Sequence, residues 1–193
     1  MPPPQTLAAL GGYVQPDFLA PAECLAIAGR LRRADGEPAA VFEGPGAAVA
    51  PGARHALELA GPGDLVAALD RRVGALAPAL ARHFARAVGA AESVSLLRYG
   101  AGGYYRPHRD RGDRSAVDRV VSVVIFVNDW RSAPGFTGGA LRFYDLLGGD
   151  APGIGIDIEP AAGTLVAFPS EWLHEVVPVE AGERYTVVTW FRG

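Results

Sequence analysis

The chain reads as a mainly β protein with flanking helices, an α+β arrangement in which a jelly-roll-like core packs on N-terminal helices. Three observations carry this. From residue 93 onward, about eight short apolar or alternating runs follow one another, parted by glycine, proline and aspartate turns. Residues 65–88 instead step their apolar side chains by three and four, as a helix does. Hydrophobic residues make up 49% of the 193 and charged residues 20%, which allows a sizeable core.

In chain order, residues 1–10 read as a loose tail and 13–19 as a first strand. Pro21 suits the first turn of a helix, where its missing N–H would be unpaired anyway. That helix runs to about Arg33 with Cys24, Ile27 and Leu31 inward. Residues 34–62, rich in glycine, alanine and proline, read as loop with a short strand around Val41 and Phe42. Asp64 is the expected N-cap of a long helix. Its stripe is Leu65, Leu69, Val73, Leu76, Leu80, Phe84 and Val88, and Pro78 should kink or split it. Strands are expected at 93–99, 104–110, 119–128, 140–144, 156–159, 164–168, 173–179 and 184–191. Residues 120–127 are apolar on both faces and suit an interior strand. The whole is expected to be one domain, 1–193, with 1–90 as a strand-and-helix support and 91–193 as the β core.

The formal net charge of −3 lacks the basic excess of a nucleic-acid binder. Cys24 is the lone cysteine, so no internal disulfide can form. The start, MPPPQTLAAL, lacks the basic and apolar regions of a signal peptide, and 120–127 is too short to span a bilayer. A cytoplasmic protein without a membrane partner is expected.

Chemistry concentrates in LLRYGAGGYYRPHRD, residues 96–110. His108 and Asp110 lie two apart on extended backbone, so both point to one face. A third ligand would make this a metal site. His83, inside a helix beside Phe84, suits packing, and nothing near His55 suggests chemistry. His174 follows AFPSEW and opens a strand among apolar residues. Two imidazoles and one carboxylate form the facial set of non-haem iron oxygenases, although hydrolytic zinc sites use the same donors. Arg184 bears on that choice. It opens RYTVVTWF and faces the same side as Thr186. An arginine among valines is costly unless it meets an anion, and its planar fork matches a carboxylate. The competing reading is a salt bridge to Glu175, Glu180 or Glu183. A metal with open positions and a cationic clamp further in is a layout for 2-oxoglutarate.

RYGAGGYYRPHRD, RVVSVVIFVNDW, GGALRFYD, PAAGTLVAFPSEWLHEVVPV and GERYTVVTWF together resemble the prolyl-4-hydroxylase-like branch of the Fe(II)/2-oxoglutarate dioxygenases. The resemblance covers about 94–192 and, more weakly, YVQPDFLAPAEC. It implies a double-stranded β-helix with His108, Asp110 and His174 on Fe(II), and Arg184 on the distal carboxylate of 2-oxoglutarate. Tyr99 would hydrogen-bond the cosubstrate. Some relatives carry a cosubstrate-holding tyrosine where Phe126 stands, and Thr186 is the replacement donor. The implied reaction consumes O2 and 2-oxoglutarate, releases succinate and CO2, and hydroxylates a C–H, with ascorbate as an accessory reductant. The carboxylate of Asp110 favours hydroxylation over halogenation.

The substrate that the resemblance implies is a prolyl or other residue of a protein or peptide, with Tyr105, Arg106, Trp130 and Trp172 expected to face it. Residues 130–139, with Gly138 and Gly139, are the expected mobile loop at the entrance. Arg106, Arg109, Arg111, Arg114 and Arg119 interleave with Asp110, Asp113 and Asp118; they either pair among themselves or favour an acidic substrate. Alternatives are the same chemistry on a free amino acid or small metabolite, and a non-catalytic or zinc-binding cupin-like barrel in which Arg184 has no role. An alkylated-nucleic-acid repair enzyme fits the acidic balance poorly.

Overall fold

Two antiparallel sheets face one another, and three helices cover the outside of the larger. The computed structural model describes residues 2–43, 46–112, 116–146 and 153–193, and no side chain from 42 to 48. The N-terminal half holds α1 (Gln5–Ala9), β1 (Tyr13–Gln15), α2 (Pro21–Leu31), β2 (Gly36–Pro38), β3 (Val41–Glu43), β4 (Gly46–Ala48), β5 (Arg54–His55), β6 (Leu57–Leu59), α3 (Gly63–Gly74) and α4 (Ala77–Phe84). Then come β7 (Ser95–Tyr99), β8 (Tyr104–His108), β9 (Arg119–Phe126), β10 (Phe136–Gly138), β11 (Leu141–Tyr144) and β12 (Gly155–Ile158). The chain ends with β13 (Leu165–Pro169), β14 (His174–Val176), β15 (Val179–Gly182) and β16 (Arg184–Arg192). The larger sheet runs β1-β13-β9-β16-β7-β6-β2 and the smaller β12-β11-β14-β8-β5, while β10 pairs with β15 and β3 with β4.

Period-two alternation sorts the larger sheet into two faces. Val121, Val123 and Ile125 of β9, with Tyr185 and Val187 of β16, pack against Ile27, Leu31, Leu69, Val73 and Leu80 of the helices. Their neighbours Val124, Phe126 and Val188 turn to the interior between the sheets. The apolar run on β9 is thus buried on both faces, as its sequence implies. Pro78 divides the long helical stripe and sits in the first turn of α4, where it forfeits no hydrogen bond.

Several expectations need correction. Residues 1–10 are no loose tail: α1 seats Leu7, fully buried, in the inter-sheet core. The first strand ends at Gln15. Residues 34–62 hold the short strand expected around Val41 and Phe42, which is β3, but also β2, β5 and β6, which extend the two sheets. The content of these three is invisible in composition because they are two or three residues long and lie at or next to sheet edges, where side-chain pattern is weakly constrained. Pro62, not Asp64, holds the N-cap position of α3. Asp64 instead accepts two hydrogen bonds from Arg30, at 2.6 and 3.0 Å. The strand expected at 173–179 is two, β14 and β15, with Pro178 between them. The segment 130–139 ends in β10, paired to β15. Asp113 and Arg114 lie outside the described residues. No helix among the described residues is long and apolar enough to cross a membrane.

Candidate active site

The polar side chains gathered by the cavity between the sheets include Arg54 of β5, Tyr99 of β7, Tyr105 and His108 of β8, His174 of β14, and Arg184 and Thr186 of β16, with Val124 of β9 and Leu141 of β11 among its apolar walls. Asp110, just past β8, lines it too. Its volume is about 630 Å³ with the open mouth included.

One potential ligand atom from each of His108, Asp110 and His174 falls within 4.8 Å of the others. Both Nε2 atoms stand 3.4 Å from separate oxygens of Asp110. Backbone carbonyls fix the tautomers. His108 Nδ1 lies 2.8 Å from the Arg106 carbonyl, and His174 Nδ1 lies 2.9 Å from that of Trp172. A carbonyl only accepts, so each Nδ1 carries a proton and each Nε2 is the nitrogen turned to the common centre. This is how outer partners orient a metal-binding imidazole. Burial, and next the charge of His108, push His174 down to about 4, so it is neutral at pH 7. Burial works against ionising Asp110, but His174, His108 and the Ser122 hydroxyl outweigh it and hold its carboxyl well below the usual range. Ser122 is itself paired with Ser170 at 2.9 Å. The three residues could hold a divalent metal ion with positions left open.

A bulge brings Tyr105 to the same place. His174 pairs with His108, but Val176, two residues on, pairs with Tyr105, three residues back. The extra residue on β8 turns Tyr105 to the face of His108. Their rings stack with centroids 3.5 Å apart.

At the other end, Arg184 is 1% exposed. Its Nη1 donates to Thr186 at 3.3 Å, and its guanidinium sits 5.1 Å from the Tyr99 ring centroid and 5.7 Å from that of Phe126. The Nε is buried with no hydrogen-bond partner. Two of the three expected carboxylate competitors are engaged elsewhere, since Glu175 accepts from Tyr144 and Arg142 and Glu183 accepts from Tyr185, and Glu180 is exposed. Burial, and secondarily the charge of Arg54, push Arg184 down to about 10. It is a cation without an anion, aimed into a cavity that holds a candidate metal site.

Fold and donor set agree with sequence comparison. The family model of the 2OG-Fe(II) oxygenase superfamily matches residues 94–192, just over half of the chain. The chain belongs to the 2OG-Fe(II) oxygenase superfamily. Among solved members, a prolyl-4-hydroxylase of Pseudomonas putida is 30% identical, with a TM-score of 0.67 over 98% of this chain and 96% of that one. A prolyl hydroxylase of Trichoplax adhaerens, solved with a hypoxia inducible factor peptide fragment, shares the fold at 18% identity and a TM-score of 0.70, over 98% of this chain and 86% of that one. A PKHD-type hydroxylase of Shewanella oneidensis is 33% identical over 99 residues, which are 49% of this chain and only 40% of that protein's length. The jelly roll of the superfamily is the architecture seen here, two facing sheets with the candidate site between them.

The remaining expected site residues of this superfamily member are scattered. Arg106 is exposed and lies along a groove outside the cavity with Tyr105, His108 and Arg109. Trp172 packs on Phe143 and Phe168 and does not line the cavity. Trp130 is 54% exposed in a separate depression and donates to Glu159. Gly138 ends β10 and Gly139 follows it; a Cβ on Gly139 would stand 3.0 Å from Cδ of Arg184. Two participants have no counterpart in the sequence reading. Ser122 is the only polar residue of β9 between Arg119 and Phe126, and that isolation is its signal. Arg54 has no signal: it sits in a glycine- and alanine-rich stretch without periodicity.

Proposed function

We propose that this protein is an Fe(II)- and 2-oxoglutarate-dependent hydroxylase acting on a C–H bond of a prolyl, or another, residue of a protein or peptide. The observation that carries it is the buried Arg184 guanidinium, whose Nε has no hydrogen-bond partner and which pairs with no described carboxylate, sharing a cavity with the His108, Asp110 and His174 donors. A non-catalytic or zinc-binding cupin-like barrel gives that buried cation no role. The near-full-length likeness to a prolyl-4-hydroxylase supports the prolyl substrate.

Iron(II) with 2-oxoglutarate and O2 supplies the oxidising power, and succinate and CO2 are the co-products. The chain supplies position and charge. Its two imidazoles and one carboxylate, from His108, His174 and Asp110, would hold the metal and leave positions open for ligands. Arg184 offers its fork to the far carboxylate of 2-oxoglutarate. Thr186 presents a hydroxyl beside it, where Phe126 has none, and the Tyr99 ring floors the site. Phe126 and Val188 keep water from the clamp, which strengthens the ion pair. Tyr105, stacked on His108, forms the substrate side.

Adding Fe(II) and 2-oxoglutarate without oxygen should produce a visible metal-to-ligand charge-transfer band. The band is expected to weaken in Arg184→Ala and vanish in His174→Ala. A wild-type protein with no band would sink the proposal.

A further inference from the structure

We propose that Arg54 is a second anion anchor in this cavity, and that it takes a carboxylate carried by the substrate. The inference rests on the function proposed above and names its substrate class. Arg54 resembles Arg184 in one respect only these two share among the described residues: a fully enclosed Nε with no hydrogen-bond partner. Its other end is fastened. Nη1 donates to the Ala40 carbonyl at 3.0 Å, and the guanidinium lies 4.7 Å from the Tyr105 ring centroid. Tyr105 in turn stacks on His108. Arg54, Tyr105 and His108 therefore form one column at the metal end, and a further hydrogen bond ties Arg54 to Tyr99, whose ring lies 5.1 Å from the Arg184 guanidinium. β5 is held in place by its pairing to β8, Arg54 opposite Tyr105.

Charge balance points the same way. A divalent iron and a doubly anionic 2-oxoglutarate cancel. Asp110 offsets Arg184, and Glu92 offsets Arg119 through hydrogen bonds at 2.7 and 2.8 Å. Arg54 remains: no described carboxylate forms an ion pair with it, and the charge of Glu58 acts on it without contact. A cation enclosed this way is costly unless an anion arrives with it. The groove that borders Tyr105, His108 and Ala53 gives the path outward. The carboxylate could belong to a free amino acid or to an acidic side chain beside the target residue of a peptide.

The test uses the full chain, loaded anaerobically with Fe(II) and 2-oxoglutarate until its charge-transfer band has appeared. Matched probes are then added: L-proline against L-prolinamide, and a prolyl peptide with glutamate beside the proline against its glutamine twin. Binding is read from the change in the band and by calorimetry, and turnover from succinate release in air. One carboxylate probe should bind wild type at least about tenfold more tightly than its amide partner, the scale of one charge-assisted hydrogen bond. Arg54→Gln should erase that preference and Arg54→Lys keep part of it, with 2-oxoglutarate binding equally well to all three. A preference for the free acid marks a small substrate; one for the glutamyl peptide marks a macromolecule. The assignment is overturned if no carboxylate probe outbinds its amide. It is equally overturned if Arg54→Gln weakens 2-oxoglutarate as Arg184→Gln does, since Arg54 then serves the cosubstrate. Absence of the band in wild type would overturn the dioxygenase reading itself, and this inference with it.

Discussion

A buried guanidinium with no anion destabilises the protein that carries it, and Arg184 is such a group. Arg184→Met keeps the volume and removes the charge. It is expected to raise the stability of the metal-free protein by about 1 kcal/mol or more. It should also weaken 2-oxoglutarate binding by roughly 10- to 100-fold. Thermal melts and a titration of the charge-transfer band measure the two effects. His174 gives a pH dependence. Its folded value, about 4, lies below its unfolded value, so between about pH 6.5 and 4 the unfolded chain binds the proton that the folded site refuses. Stability of the metal-free protein should therefore fall by about 3 kcal/mol across that window as pH drops. Denaturant titrations at several pH values, in wild type and His174→Gln, check this; the slope should flatten in the variant. The residues behind both predictions were legible from spacing and context. Arg54 was not, because burial is a property of the folded cavity and nothing in its local sequence encodes it.

At the level of elements, register decides which side chains meet. The pairing of His174 with His108, followed by one extra residue on β8, aligns Tyr105 with the ligand histidine. Alternation alone would put positions 105 and 108 on opposite faces, so sequence reasoning could propose Tyr105 for the site only through resemblance. Pairing partners are likewise silent in a single chain, which is why β2, β5 and β6 went unread. The turn after β10 is equally specific. Gly139 has φ of +62°, and a Cβ there would press on Arg184, Val179 and Phe136. Gly139→Ala should cost about 1–3 kcal/mol of stability and also loosen 2-oxoglutarate, because the arginine stem must shift. A variant with unchanged cosubstrate affinity would show that Arg184 has slack. Segment type was the more readable quantity: the stripe from Leu65 to Leu80 and the two-faced apolar run of β9 both became what their periodicity implied.

Across the whole molecule, the larger sheet divides labour between its faces. One side meets the helices and carries stability; the other lines the candidate site. Leu80→Ala, at a fully buried position in α4, is expected to cost about 2–5 kcal/mol in denaturant titrations while leaving iron and 2-oxoglutarate affinities unchanged. Coupled losses would mean that the helical layer also sets the geometry between the sheets. The two carbonyls that hold His108 and His174 carry a further consequence. Rings anchored at Nδ1 need no reorientation to receive a metal, and they do not swing away when it departs. The site is a preset socket whose shape is a property of the chain rather than of its occupant. Stripping iron with a chelator and adding it back should thus be a repeatable cycle without refolding, and a foreign divalent ion would occupy the same socket as a substitute rather than deform it.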